Sequence, residues 1–172
     1  MEQPIIAGVA HDLGDAKITI VGVPDKPGTA AAIFQAVADA GINMDMIVQN
    51  VSAHGETATD VTFTAPRADA AKAEAALRSV QKEIGFKDID TDENIAKISL
   101  VGAGMRSHPG VTATFFKAIA SVGVNAEMIS TSEIRISVVT RAQDANAAVA
   151  AVHTAFGLDA DGEAVVYGGT GR

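Results

Sequence analysis

Cysteine and tryptophan are absent from this chain, tyrosine occurs once, and the 13 basic residues are outnumbered by 21 acidic ones. The missing thiols exclude disulfide staples and thiolate chemistry, while leaving the compartment open. A formal charge of −8 is a poor match for a phosphate backbone, whose binding depends on Lys and Arg. A sheet that reads RNA stacks bases on paired aromatics, and this chain has only one Tyr and Phe residues at core-like positions. No apolar run approaches the roughly 20 residues of a membrane span. Met1-Glu2-Gln3 is not the basic start of a signal peptide, so a cytoplasmic location is expected. Nucleic acid and membrane are therefore not expected partners.

Catalytic and cofactor chemistry is missing too. His11, His54, His108 and His153 have no metal-ligand spacing and no triad pattern. Gly102-Ala103-Gly104 and Gly168-Gly169-Thr170-Gly171 lack the nucleotide fingerprint and the P-loop Lys-Ser/Thr ending. No catalytic residue, metal or cofactor is expected.

What the chain does contain is a duplication. Asp25-Lys26-Pro27-Gly28-Thr29-Ala30 is matched by Ser107-His108-Pro109-Gly110-Val111-Thr112 at an offset of 82 (110 − 28). Each elbow follows an apolar run and precedes an amphipathic pattern that ends in Gly41-Ile42-Asn43 or Gly123-Val124-Asn125. Upstream, Lys17 to Gly22 matches Lys97 to Gly102 at an offset of 80 (97 − 17). The two-residue slip falls in the loop before Pro-Gly, where insertions are cheapest.

The periodicity predicts a strand over 4–10, a turn over 11–15, and a strand over 16–23 with Ile18, Ile20 and Gly22 on one face. A helix follows with Pro27 at its first position and Gly41 as its stop. Strands over 44–53 (turning at Gly55) and 57–65, the latter with Val61 and Phe63 inward, lead to a helix over 68–84. A strand over 86–90 and a polar linker over 91–94 close the unit. The second copy repeats the order: strand 97–104, helix 110–122, strands 126–132 and 133–141 (Ile134, Ile136 and Val138 inward), and helix 142–156. A short strand over 163–167 precedes a glycine-rich tail. The order βαββαβ predicts an α+β fold of two ferredoxin-like units, each an antiparallel sheet with helices on one face. Ile5–Ala10 is the spare strand that completes the second sheet, with 163–167 a rival for the same slot. Residues 16–94 then form the first unit, inserted into a second made of 3–12 plus 95–172.

The elbows carry the binding chemistry. Free backbone N–H groups at a helix start favour an anion such as a carboxylate, and Gly28 lets a ligand approach the backbone. The strand start at Ile42, Asn43 and Met44, or at Asn125, Ala126 and Glu127, offers carbonyls to an ammonium group. Together these describe an amino-acid zwitterion. Asp25 adds charge for the ammonium and Gln49 reads a side-chain hydroxyl or amine. Unpaired sheet edges predict a homodimer in which the first unit faces the second unit of its partner.

Asp25-Lys26-Pro27-Gly28, Gly41 to Ile47, Ser107-His108-Pro109-Gly110-Val111 and the run from Ile129 to Val138 resemble the regulatory end of the aspartokinases. Glu163 to Arg172 is similar to the tail of the actinobacterial members, and the resemblance runs from end to end. It implies two tandem ACT domains, either the β subunit of an α2β2 enzyme or the C-terminal half of a longer chain. That family phosphorylates aspartate with ATP at the head of lysine, threonine and methionine synthesis, and is inhibited by lysine, threonine or both. The implied role is a non-catalytic regulatory subunit that works with a catalytic α subunit. Threonine is expected at the first elbow, with Asn125, Ala126 and Glu127 of the partner lining its far side or serving lysine at the second elbow. The family's amino-kinase domain has no counterpart in these 172 residues, and whether Met1 is an internal start or a truncation is left open. The alternative is a free-standing amino-acid-binding module that regulates another enzyme.

Overall fold

The computed structural model describes residues 5–50, 57–159 and 166–168. His54, the Gly55 turn, residues 163–165 of the expected last strand and the tail after Gly168 lie outside them. The chain divides into two compact units, residues 15–93 and the residues up to Gly14 together with those from Asn94 onward.

The first unit comprises β2 (Asp15–Pro24), α1 (Thr29–Asp39), β3 (Asp45–Gln49), β4 (Ala58–Pro66), α2 (Ala70–Ser79), α3 (Gln81–Ile84) and β5 (Asp88–Asp92), following β1 (Ile5–Asp12) in the chain. Its sheet has the order β3-β4-β2-β5, all antiparallel. Alternation on β2 turns Ala16, Ile18 and Ile20 inward, where they pair with Ala65, Phe63 and Val61 of β4. Ile33 and Val37 of α1 and Ala73 and Leu77 of α2 close the core from the helix side. Gly22 does not join that inward face. It has φ +67° and sits in a bulge, because Ile20 faces Val61 and Val23 faces Thr59. Val23 takes the inward place and is 1% exposed.

Helix α1 starts at Thr29 with Gly28 as its N-cap, so Pro27 precedes the cap instead of opening the helix. Gly28 at φ +92° is outside helical space, and that displaces the start. At the other end Gly41 takes φ +74°, its N–H donates to the Ala38 carbonyl and that of Ile42 to the Val37 carbonyl. This is a Schellman stop, and it explains the Gly-Ile-Asn signature: Ile42 packs back into the core at 4% exposure. Gly123 and Val124 repeat the device in the second unit. The single helix expected over 68–84 is instead a 3₁₀ turn (Arg67–Asp69), α2 and α3, broken where Val80 leaves helical space at φ −108°, ψ 3°. Thr91 and Asp92, expected as linker, extend β5 by pairing with Ile18 and Lys17.

The second unit adds β6 (Ile95–Ala103), α4 (Pro109–Ser121), β7 (Met128–Thr131), β8 (Arg135–Arg141), α5 (Ala145–Ala155) and β9 (Val166–Gly168). Its sheet order is β7-β8-β6-β1-β9. The spare N-terminal strand fills the slot beside β6, antiparallel from Ile5↔Ala103 to Asp12↔Lys97. The C-terminal strand does not compete for that slot; it adds a fifth strand outside β1 and runs parallel to it, a departure from an all-antiparallel sheet. β1 continues to Asp12 because β6 offers partners that far, leaving a turn at Leu13-Gly14 where the Asp12 carboxylate accepts the Gly14 N–H at 2.7 Å. Val9, Ile98, Leu100, Ile136 and Val138 form the core with Phe115 and Ile119 of α4 and Ala148 and Val152 of α5. Ile134, expected inward, is 56% exposed, because it lies in the turn closed by the Ser132 N–H on the Arg135 carbonyl. Ser137, on the expected outer face, is 4% exposed and hydrogen-bonded to Ser99 at 2.7 Å.

Candidate functional site

The two elbows share the Pro-Gly pair and are built differently. In the first, the Asp25 N–H donates to the Thr57 carbonyl at 2.9 Å and the Lys26 N–H to the Pro24 carbonyl at 3.0 Å. The Thr29 N–H then reaches Lys26, and the Ala32 N–H closes a helical bond on the Gly28 carbonyl at 3.0 Å. No side chain caps α1, and among the described residues the N–H groups of Ala30 and Ala31 have no acceptor. Two such donors, at the positive end of the helix dipole, are free to hydrogen-bond an anion. A Cβ on Gly28 would meet nothing within 4 Å, so the space before the elbow is open and glycine is needed for its backbone angle. Asp25, Lys26, Pro27 and Gly28 are exposed, Ala30 is half-buried, and the Thr29 side chain is buried.

In the second elbow the chain leaves β6 through Gly104 (φ +71°) and a 3₁₀ turn, Met105–Ser107. His108 is then the N-cap and Pro109 opens α4, so Gly110 is already helical. The two extra residues make this turn and account for the change of offset. The His108 Nδ1 lies 2.8 Å from the Gly104 carbonyl. A carbonyl only accepts, so Nδ1 is the donor in this contact. Ser107, Pro109, Gly110 and Thr112 are exposed, while Val111 is 6% exposed and committed to the core.

The remaining expected site residues divide by position along the sheet. Gln49 is exposed at the end of β3 and pairs with Val61, on the elbow side; the Thr59 hydroxyl donates to the Asn50 carbonyl at 2.7 Å and fixes that strand end. Asn43 and Met44 precede Asp45, which pairs with Thr64 opposite Lys17, at the start of β2. Pro24 lies seven residues further on (24 − 17), roughly 20 Å at about 3.3 Å per residue. Within one unit, therefore, Asn43 and Met44 do not meet the Gly28 elbow. They stand at the opposite end of α1, because a crossover helix returns the chain to the beginning of the sheet. The same topology separates Asn125 and Ala126 from Gly110. Glu127 is tied to Arg141 by an ion pair of 2.9 Å, and its N–H donates to the Val139 carbonyl. The Ile42 side chain is in the core, which leaves its backbone for any ligand. Sequence reasoning missed the role of Thr57, Thr59 and Asp60 at the start of β4; they read only as strand residues, since nothing in alternation tells which end of a strand holds a neighbouring loop.

Among the described residues no group of three His, Asp or Glu side chains could hold a metal, and no helix is long and apolar enough to cross a membrane. ACT-domain models match residues 17–82 and 98–156, one in each unit. The chain is 59% identical over its whole length to the aspartokinase of Mycobacterium tuberculosis, and spans 41% of that protein. It is similar to the regulatory subunit of aspartate kinase from Thermus thermophilus at 47% identity and TM-score 0.84, over 88% of this chain and 99% of that one.

This chain belongs to the aspartokinase family, as its ACT-domain regulatory region. A second solved structure, of aspartokinase alpha and beta subunits, is similar at 46% identity and TM-score 0.81, covering 88% of this chain and 98% of that one. Each aspartokinase ACT match contains one elbow, Gly28 in the first and Gly110 in the second. β1 falls outside both matched spans, so the strand that completes the second ACT sheet comes from sequence well before its match.

Proposed function

We propose that this aspartokinase regulatory chain binds threonine at the first elbow and lysine at the second, as feedback inhibitors of ATP-dependent aspartate phosphorylation by a catalytic α chain in a cytoplasmic α2β2 assembly. The observation that carries the reading is the uncapped start of α1: among the described residues the Ala30 and Ala31 N–H groups have no acceptor, and the space on the Cβ side of the neighbouring Gly28 is open, which suits an amino-acid carboxylate. The distance between each elbow and its own Asn is resolved by a homodimer. If β3 of one chain lies antiparallel to β7 of its partner, the start of each edge strand meets the end of the other. Asn125 and Ala126 of the partner then reach the Gly28–Gln49 side, and Asn43 and Met44 reach the Gly110 side. Two exposed isoleucines support this pairing, Ile47 on β3 and Ile129 on β7, at 49% and 48% and at offset 82 (129 − 47). The other edge of the first sheet, β5, carries Asp88, Asp90 and Asp92, the charges that keep an edge unpaired.

The test is Ala30→Val, assayed with the α chain. An added side chain there fills the ligand's space while Ile33 and Val37 keep the buried face of α1 intact. Because an effector shifts an enzyme only through its differing affinity for two states, the expected outcome is full kinase activity with most threonine inhibition lost. Sedimentation of the parent chain should show a dimer strengthened by threonine. Inhibition persisting at parent concentrations in a well-folded Ala30→Val protein, or a ligand-saturated monomer, refutes the corresponding half of the reading.

A further inference from the structure

The bulge in β2 is held by a side chain from a different strand. Val21 and Gly22 together face one residue of β4, Asp60, since Ile20 pairs with Val61 and Val23 with Thr59. The Asp60 carboxylate accepts the Gly22 N–H through Oδ1 at 3.0 Å. Gly22 is fixed from the other side as well. A Cβ there would lie 2.7 Å from both Cγ and Cδ of Lys87, whose N–H donates to the Val21 carbonyl at 2.8 Å. The bulge decides how the strand ends. It turns Val23 into the core and carries Pro24 and Asp25 to where the Asp25 N–H meets Thr57, three residues before Asp60 on the same segment.

The second unit solves the same problem without a side chain. Gly102, the counterpart of Gly22 at offset 80 (102 − 22), donates its N–H to the Ile134 backbone carbonyl at 2.9 Å, and β6 pairs with β8 without a register shift.

We infer that Asp60 is a positioning residue for the first elbow, setting through Gly22 the approach of Asp25 and Gly28 to the ligand, and that the second elbow has no such dependence. The inference rests on the proposed amino-acid site and adds a residue that does not itself touch the ligand. It makes the two sites separately tunable, although they share Pro-Gly.

The test is calorimetric titration of L-threonine and of L-lysine into the 172-residue chain and its Asp60→Ala and Asp60→Asn variants, with Ala30→Val as reference and thermal unfolding of each. Asp60→Ala is expected to weaken threonine binding about tenfold and leave lysine binding unchanged. Asp60→Asn should bind threonine within about twofold of the parent, because its amide oxygen accepts the same bond. The amide resonances of Gly22 and Asp25 in the ligand-free chain should move in Asp60→Ala and stay in Asp60→Asn. If Asp60→Ala binds threonine like the parent while Ala30→Val does not, Asp60 has no positioning role and the elbow site survives. If Ala30→Val also binds like the parent, the elbow site itself falls and this inference with it. An Asp60→Asn chain as weak as Asp60→Ala, or unmoved Gly22 and Asp25 resonances in Asp60→Ala, overturns the inference directly.

Discussion

Gly28 and Gly102 are both required to be glycine, for opposite reasons. Gly28 has room for a side chain and the wrong backbone for one: φ is +92°, and nothing lies within 4 Å of an added Cβ. Gly102 has no such φ, but an added Cβ would lie 2.3 Å from the Ile5 carbonyl oxygen and 3.1 Å from the Ile6 Cα. Both obstacles are backbone of β1, next to its own irregularity between Ile6 and Gly8, so no rotamer change relieves them. Gly28→Ala should therefore cost about 1–2 kcal/mol, the local penalty of a left-handed residue. Gly102→Ala should cost about 1–3 kcal/mol or more through overpacking, and its effect should appear at a distance, as faster amide exchange over residues 5–12. Urea unfolding with exchange mapping distinguishes them. Parent-like protection of β1 in Gly102→Ala would show that the close approach is not a constraint.

At the scale of elements, α2 is pinned to the edge strand β5 by Arg78, which lies 2.8 Å from the Asp88 carboxylate and 3.6 Å from Glu74. The hydrogen bond from Arg78, and next the Ile89 N–H, hold the Asp88 carboxyl below its ordinary value of 3.8. A lowered pKa means the folded state favours the ionised form, so this stabilisation is complete above the unfolded value and is lost as pH falls through the folded one. Acid unfolding should thus begin to cost this clasp below about pH 4, and Asp88→Asn should lower the melting temperature slightly at neutral pH, where the clasp is intact, and flatten its pH dependence in the acid range. A parent-like acid slope in Asp88→Asn would exclude the clasp as a contributor. Elements of this kind show how much the sequence disclosed. The alternation of Ile18, Ile20, Val61 and Phe63 and the stops at Gly41 and Gly123 are local signals, and the structure keeps them. The break at Val80 has no local signal, since Val80 fits the helical spacing of Leu77 and Ile84. The bulge at Gly22 depends on a partner strand. The separation of Asn43 from its own elbow depends on which end of a sheet a crossover helix returns to, which residue spacing does not encode. The elbows were legible as helix starts; the reach between them was not.

For the whole molecule, the nesting of the two units bears on order in time. β1 and β6 are antiparallel neighbours whose near ends are Asp12 and Lys97, so residues 15–93 occupy the place of a hairpin turn. The inserted unit brings its own ends together, because β2 and β5 pair at Lys17↔Asp92. Once it has folded, joining β1 to β6 no longer means closing a flexible loop of 84 residues (97 − 12 − 1) but something closer to a short turn, a saving of about 2–3 kcal/mol in closure entropy. Pulse-labelled hydrogen exchange during refolding should show residues 15–93 protected before residues 5–12. Phe63→Ala, which removes a fully buried ring from the inserted core, should delay protection of β1 as well. Simultaneous protection of β1 and β2 would contradict this order. During synthesis the consequence is sharper: β1 leaves the ribosome before the whole first unit and has no antiparallel partner until β6 follows it out. The strand that completes the second sheet is made before the whole first unit and must stay uncommitted while that unit folds.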